Sequence, residues 1–260
     1  MTYTVEGRTI SGGKARGEVV KLDEALSFLG GVEGSTGEIR VGNGGNVAGK
    51  VLVFPKGKGS TVGSFVMYDL KVHGKNPVAV INESAETIVA TGAVISSIPM
   101  VDQIPSIRIF EDGDMVTVDA DSGRVEIEGV EERDVVSSVI LCGGKVLMLK
   151  RPRTNRSFPG KWSLVAGKVE KGETPEEAAA REIMEETQLK VGRPDGALDP
   201  LYVREDRRLW KVYPFLFRLD SAEPVLNEEN EAFRWVLPDD VSDVDTVTDT
   251  VAVVKRFTSE

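Results

Sequence analysis

Over the first fifty or so residues, short apolar runs such as Gly17-Glu18-Val19-Val20 and Gly37-Glu38-Ile39-Arg40 stand between glycine-rich turns, which predicts a small β-rich unit. Gly49-Lys50-Val51-Leu52-Val53-Phe54-Pro55 reads as a strand of the buried kind, and it runs directly into the loop Lys56-Gly57-Lys58-Gly59-Ser60-Thr61. From Val62 to Val72 the residues Val62, Phe65, Val66, Leu70 and Val72 fall largely on one side of a helix that Gly74 is placed to stop. Val78 to Ile81 predicts the next strand, Glu83 to Thr91 a second helix, and Val94-Ile95 with Ile98-Pro99 a return to strand. Strict alternation through Asp114–Asp119 and Arg124–Ile127, around Gly123, predicts a hairpin.

The run Glu128-Gly129-Val130-Glu131-Glu132-Arg133-Asp134 is polar and short, and the domain boundary is placed there, giving domains over residues 1–131 and 134–260. After it, Val135–Leu141, the turn Gly143-Gly144 and Lys145–Lys150 predict a hairpin leading to an acidic helix. Strand-like runs return at Leu209–Leu219 and Phe233–Leu237. The expected fold class is therefore α/β for the first half and α+β for the second, with the acidic helix packed on a sheet.

Composition narrows the function. A chain of 260 residues, 28% charged and 40% hydrophobic, has the balance of a soluble globular protein with room for two cores. No apolar run approaches the roughly 20 residues that span a bilayer, and the start MTYTVEGRTISGG lacks the pattern of a secretory signal, so a cytoplasmic location is expected. The net charge of -10 argues against a general nucleic-acid binder. Cys142, the single cysteine, rules out an internal disulfide and any four-cysteine site built by this chain alone; within its strand it reads as a core residue. His73, before Gly74, reads as a helix cap.

Thr174-Pro175-Glu176-Glu177 is a strong helix start, with Thr174 as cap, Pro175 in the first turn and Glu177 completing a capping box. Beyond it Glu182, Glu185 and Glu186 share one side, while Arg181 can reach Glu177 or Glu185 at four-residue spacing. Such a cluster calls for a hard divalent cation, Mg²⁺ or Mn²⁺. The stretch resembles the Nudix box: Gly167, Glu173, Arg181, Glu182, Ile183, Glu185, Glu186 and Leu189 all fall at matching places, and Gln188 stands where the pattern has glycine. The resemblance implies a Nudix α/β/α sandwich and Mg²⁺-dependent hydrolysis of a phosphoanhydride, usually in a nucleoside diphosphate linked to another group. It also implies Glu182, Glu185 and Glu186 as metal ligands and a catalytic glutamate from the helix, such as Glu186, or from a later loop. In Leu226-Asn227-Glu228-Glu229-Asn230-Glu231 the choice falls on Glu229. Arg151, Arg153, Arg156 and Lys161 supply cations for phosphate, and Trp162 is either a stacking platform for a base or a core residue.

The loop Gly57-Lys58-Gly59-Ser60-Thr61 lies between a strand and a helix, where backbone amides can face an anion, but it is not a Walker loop because no lysine directly precedes Ser60 or Thr61. The stretches Ala48–Ser64, Glu83–Ala93 and Ile98–Asp102 resemble the swivel domain of the aconitase X group, in particular the small subunit of archaeal phosphomevalonate dehydratase. That resemblance implies a swivelling β/β/α domain over essentially residues 1 to 130, in which Ser60 takes a proton from the substrate and Gly57, Lys58 and Gly59 help to bind it. It further implies a separate large subunit as partner, carrying the iron–sulfur cluster. Two functional readings follow. Either the chain is bifunctional, a hydrolase and a dehydratase small subunit in an isoprenoid (mevalonate) route, or only the second half is catalytic and the first is a binding or assembly module. An isopentenyl diphosphate isomerase is disfavoured because no cysteine is suitably placed.

Overall fold

The computed structural model describes residues 1–155 and 158–259. It divides into two compact units, Met1–Glu132 with Tyr202–Leu209, and Arg133–Leu201 with Trp210–Glu260.

The first unit is built on strands β1 (Thr2–Glu6), β2 (Arg8–Ser11), β3 (Lys14–Lys21), β4 (Val51–Lys56), β5 (Ala79–Ser84), β6 (Met100–Asp102), β7 (Met115–Asp119) and β8 (Arg124–Glu128). They form one sheet in the order β1-β8-β7-β3-β4-β5-β6-β2, parallel from β3 through β6 and antiparallel at both flanks. Parallel neighbours need crossovers, and helices α1 (Gly63–Val72) and α2 (Thr87–Ile95) supply those from β4 to β5 and from β5 to β6. Successive residues of β4 feed opposite faces: Val51 and Val53 join a core with Ile81, Phe110 and Ile127, whereas Leu52 and Phe54 join Met67 and Leu70 of α1. The loops after β4 and β5 thus open at the carboxyl ends of parallel strands, where α/β sheets place their ligands.

Two expectations change here. β5 continues through Ser84, so the second helix starts at Thr87 rather than Glu83, and Val94-Ile95 is its last turn rather than strand. The helical period decides this: Val89, Gly92 and Ala93 face the core, which leaves Val94 and Ile95 exposed. His73 does cap α1, its Nδ1 standing 3.0 Å from the carbonyl of Asp69.

Residues 202–209 belong to this unit although they come from late in the chain. Tyr202 and Leu209 are buried in its core, and the Arg204 guanidinium donates to both carboxylate oxygens of Asp114, at 2.9 and 3.0 Å, and to the Ile109 carbonyl.

Strands of the second sheet are β9 (Glu131–Cys142), β10 (Lys145–Lys150), β11 (Trp162–Ser163), β12 (Val165–Lys168), β13 (Gly196–Ala197), β14 (Leu201–Glu205), β15 (Arg208–Leu219) and β16 (Ala232–Val236). The order is β11-β10-β9-β15-β13, with β12 on β9, β14 on β15 and β16 on β10. The polar run expected to be a linker is not loop throughout: Gly129 turns the chain, and β9 begins at Glu131. Helix α3 (Pro175–Thr187) lays Ala178, Ala179 and Ile183 on one face of the sheet, against Val136, Ile140, Leu147 and Phe217. Helix α4 (Thr250–Thr258) lays Val253 and Val254 with the opposite set, Val139, Met148 and Leu216. This is the expected α/β/α sandwich. Cys142, at the end of β9, is only half-buried. Among the described residues no helix is long and apolar enough to cross a membrane.

Candidate functional site

Helix α3 starts as its sequence dictates. Thr174 accepts a hydrogen bond from the Glu177 amide, and Glu177 accepts one from the Thr174 amide, so the capping box is complete. Glu177 is therefore unavailable to Arg181, which turns instead to Glu173, eight residues back, through Nε at 3.2 Å and Nη2 at 2.7 Å. The same guanidinium donates through Nη1 to Glu182 at 2.8 Å and Glu185 at 3.1 Å, and through Nη2 to the Lys168 carbonyl at 2.9 Å. Its hydrogen bonds to Glu173 above all raise the Arg181 pKa, and they hold the Glu173 carboxyl below the usual range. Gly167 owes its identity to this arrangement, since a Cβ there would stand 1.8 Å from the Glu182 carboxyl carbon. The helix ends at Gln188 in the left-handed region, φ 57°, the conformation that glycine adopts at lower steric cost.

Glu186 is the buried member of the cluster, only 5% exposed. Its oxygens accept from the Asn230 side chain at 2.6 Å and the Ala166 amide at 3.2 Å. Burial nonetheless pushes its pKa up to about 7, against those two stabilising bonds, and the charges of Glu182 and Glu229 add to the rise. Glu182 is raised as well, first by burial and then, against the pull of Arg181, by Glu185 and Glu229. Glu229 itself is exposed, on a loop turned by the Asn227 side chain accepting from its amide at 3.0 Å. The structure therefore brings Glu182, Glu186 and Glu229 within electrostatic reach of one another, with Glu185 beside Glu182. Sequence reasoning missed Asn230, whose only signal is its position next to Glu229.

The donor set is all oxygen and carries more negative charge than Arg181 offsets, which suits a hard divalent cation. Yet among the described residues no three acidic, histidine or cysteine groups stand in a ready cage, because Arg181 draws Glu182 and Glu185 to itself while Asn230 and Ala166 hold Glu186. The residues fit the ion by chemistry and by neighbourhood rather than by a preformed geometry.

The expected phosphate-binding cations differ in their surroundings. Lys161 pairs with Asp245 at 3.1 Å, Arg153 is exposed, and Arg151 has a buried Nε without a hydrogen-bond partner. Arg156 lies outside the described residues. Trp162 packs with the core, and Arg234 covers one face of its indole at 4.2 Å, so that face is closed to a base.

In the first unit Ser60 is exposed beyond β4. Its carbonyl accepts from the Gly63 amide at 2.9 Å, and its Oγ from the Val62 amide at 3.4 Å. The loop is pinned on one side by Leu26, whose carbonyl accepts from the Lys58 amide at 2.9 Å. On the other side α2 approaches so closely that a Cβ on Gly57 would stand 2.5 Å from Val89 and 2.8 Å from Glu86 Oε2, a buried oxygen with no partner. Lys58 is exposed like Ser60. The structure thus presents Ser60 to solvent on a loop that the packing of its neighbours defines.

Comparison with known proteins matches each half of the chain to a family. A family model described as Aconitase X swivel domain matches residues 4–127, and one described as NUDIX domain matches residues 132–257. The phosphomevalonate dehydratase small subunit of Thermococcus kodakarensis is 55% identical over 127 residues, spanning 47% of this chain and 95% of that protein. The crystal structure of Thermococcus kodakaraensis aconitase X in its holo-form is 53% identical and covers 48% of this chain and 98% of that one, with a TM-score of 0.47. The crystal structure of a MutT protein from Methanosarcina mazei Go1 is 26% identical and covers 49% of this chain and 94% of its own, with a TM-score of 0.43. The chain belongs to the aconitase X swivel family through its first half, and a NUDIX domain follows.

Proposed function

We propose that the second unit hydrolyses a phosphoanhydride in a diphosphate-linked substrate, using Mg²⁺ or Mn²⁺ held by Glu182, Glu185 and Glu186. The observation that carries this reading is the buried Glu186, its pKa pushed up to about 7 beside Glu182 and Glu229. A helix face that crowds carboxylates at such cost is stabilised when a divalent cation replaces the missing positive charge. When bound, that cation neutralises the diphosphate and activates water for in-line attack at phosphorus. Arg181 positions the carboxylates, and Glu185, 54% exposed, would leave its bond to Arg181 to help hold the metal. Glu229, or Glu186 in its place, accepts the proton of the attacking water. Arg151, Arg153 and Lys161 bind the phosphates, Lys161 after leaving its exposed partner Asp245.

The first unit acts as the small subunit of a phosphomevalonate dehydratase. Its support is the 55% identity to such a subunit and the exposed Ser60. Ser60 takes a proton from the substrate, with Gly57, Lys58 and Gly59 lining the anion, and a separate large subunit supplies the iron–sulfur cluster. A second reading leaves the first unit without catalysis. It is favoured by the bond from the Val62 amide to Ser60 Oγ, the local contact two residues on that an ordinary turn serine makes.

Incubating the chain and Mg²⁺ with nucleoside triphosphates, nucleotide sugars, ADP-ribose and isopentenyl diphosphate tests the hydrolase. Phosphate or nucleotide release that Glu185→Gln abolishes is expected, and equal release by that variant overturns the metal assignment. Co-purification with an iron–sulfur large subunit separates the two readings of the first unit.

A further inference from the structure

We infer that the outward face of helix α1 is the surface on which the large subunit docks to complete the Ser60 site. The inference rests on the dehydratase reading above. Val62, Phe65, Tyr68 and Val72 recur at helical spacing and are 44%, 66%, 49% and 64% exposed, whereas Ser64, Met67 and Leu70 of the same helix are buried. Leu29 is also exposed, on the turn Phe28–Gly31 that packs against α1. Aromatic side chains offer roughly 150–250 Å² each and aliphatic ones less, so at these exposures the five together present on the order of 500 Å². That is at the upper end of the ~300–600 Å² found for the largest patch on a monomer. It is also more than half of the ~800 Å² that each partner buries in a standard interface.

Continuity with the loop says what covers this face. The helix begins at Gly63, whose amide is bonded to the Ser60 carbonyl, so the apolar face starts at the edge of the loop that carries Ser60. A polypeptide that brings substrate and an iron–sulfur cluster to Ser60 has to cover that loop, and in doing so it meets Val62 and Phe65 first. Two exposed aromatics at the centre of such a patch are the side chains that dominate protein interfaces.

The test measures affinity between the full-length chain and the dehydratase large subunit of the same organism. The wild type, the double variant Phe65→Asp with Tyr68→Asp, the milder Phe65→Ser, and Val225→Asp, an exposed apolar position in the second unit, are compared. Thermal melting accompanies each protein. The expected result is a loss of at least 100-fold for the double variant and a smaller loss for Phe65→Ser, with Val225→Asp unchanged and all melting curves similar. Binding of the wild type with no loss in either α1 variant leaves the dehydratase reading standing and overturns the docking face. Failure of the wild type to bind overturns the dehydratase reading, and this inference with it. Sedimentation of the chain alone is expected to give a monomer; a dimer that Phe65→Ser dissolves assigns the face to a second copy instead, and also overturns the inference.

Discussion

Arg204 and Arg181 both sit on carboxylates, but they serve different ends. Arg204 and Asp114 are 5% and 12% exposed and lock residues 202–209 into the core of the first unit, remote in sequence from Ser60. Arg181 directs its donors at Glu173, Glu182 and Glu185, so in the second unit the ionic network coincides with the candidate site. The first unit keeps its buried ions for structure and leaves its candidate reactive group open on a backbone loop. The second assembles its candidate chemistry from charges that strain one another. A site of the first kind is completed from outside, and one of the second kind from a cation.

This contrast can be broken in several places. The largest effect is expected from Ser60→Ala in the reconstituted dehydratase pair: removal of a proton-abstracting group lowers the rate on the order of 10³-fold, read as turnover under saturating substrate. Next comes Arg204→Ala. It strands Asp114 in a nearly dry environment, and urea unfolding at neutral pH is expected to show a loss of about 4 kcal/mol. Hydrolysis by the second unit at low denaturant is the control, and its persistence would show that the damage is structural and local.

Glu186 carries the pH prediction. Its carboxyl titrates near 7 in the folded metal-free protein, above its ordinary value, so its contribution to stability is fully present below that ordinary value and is lost as pH rises through about 7. Between acid and mildly alkaline pH the metal-free protein is expected to lose roughly 3 kcal/mol through this group, from the tenfold-per-unit linkage. Glu186→Gln removes that slope, and saturating Mg²⁺ flattens it in the wild type. A wild-type profile as flat as that of Glu186→Gln would contradict the burial account. The smallest effect belongs to Gln188, held at φ 57°. Gln188→Gly relieves the left-handed cost and is expected to raise stability by about 1 kcal/mol, measured as a shift in the urea midpoint without a change of slope.

Much of the acidic helix was legible because its determinants are local. A capping threonine, a first-turn proline and carboxylates three and four apart specify the start of α3 and which side chains share a face, and the structure shows both. The glycine loop was legible for the same reason, as a strand followed by small residues and an apolar helix. What sequence could not show depends on the chain returning to itself. Arg181 prefers Glu173 over Glu177 because the capping box has already engaged Glu177. Asn230 reaches Glu186 from forty-four residues away, and no periodicity marks that. Val94 and Ile95 looked like strand because both are β-branched, but packing of Val89 and Ala93 carried the helix through them. Tyr202 and Leu209 give no sign in sequence that they fill the core of the other half.

The central claim is that one chain carries two separable chemistries, and the direct measurement is a crossed assay. Wild type, Ser60→Ala and Glu185→Gln, each reconstituted with the large subunit and Mg²⁺, are assayed for dehydration and for phosphoanhydride hydrolysis in one preparation. Each variant is expected to lose one activity and keep the other within twofold of wild type, at the precision such rates allow. Hydrolysis that survives Glu185→Gln, or both activities lost together in either variant, would contradict the account.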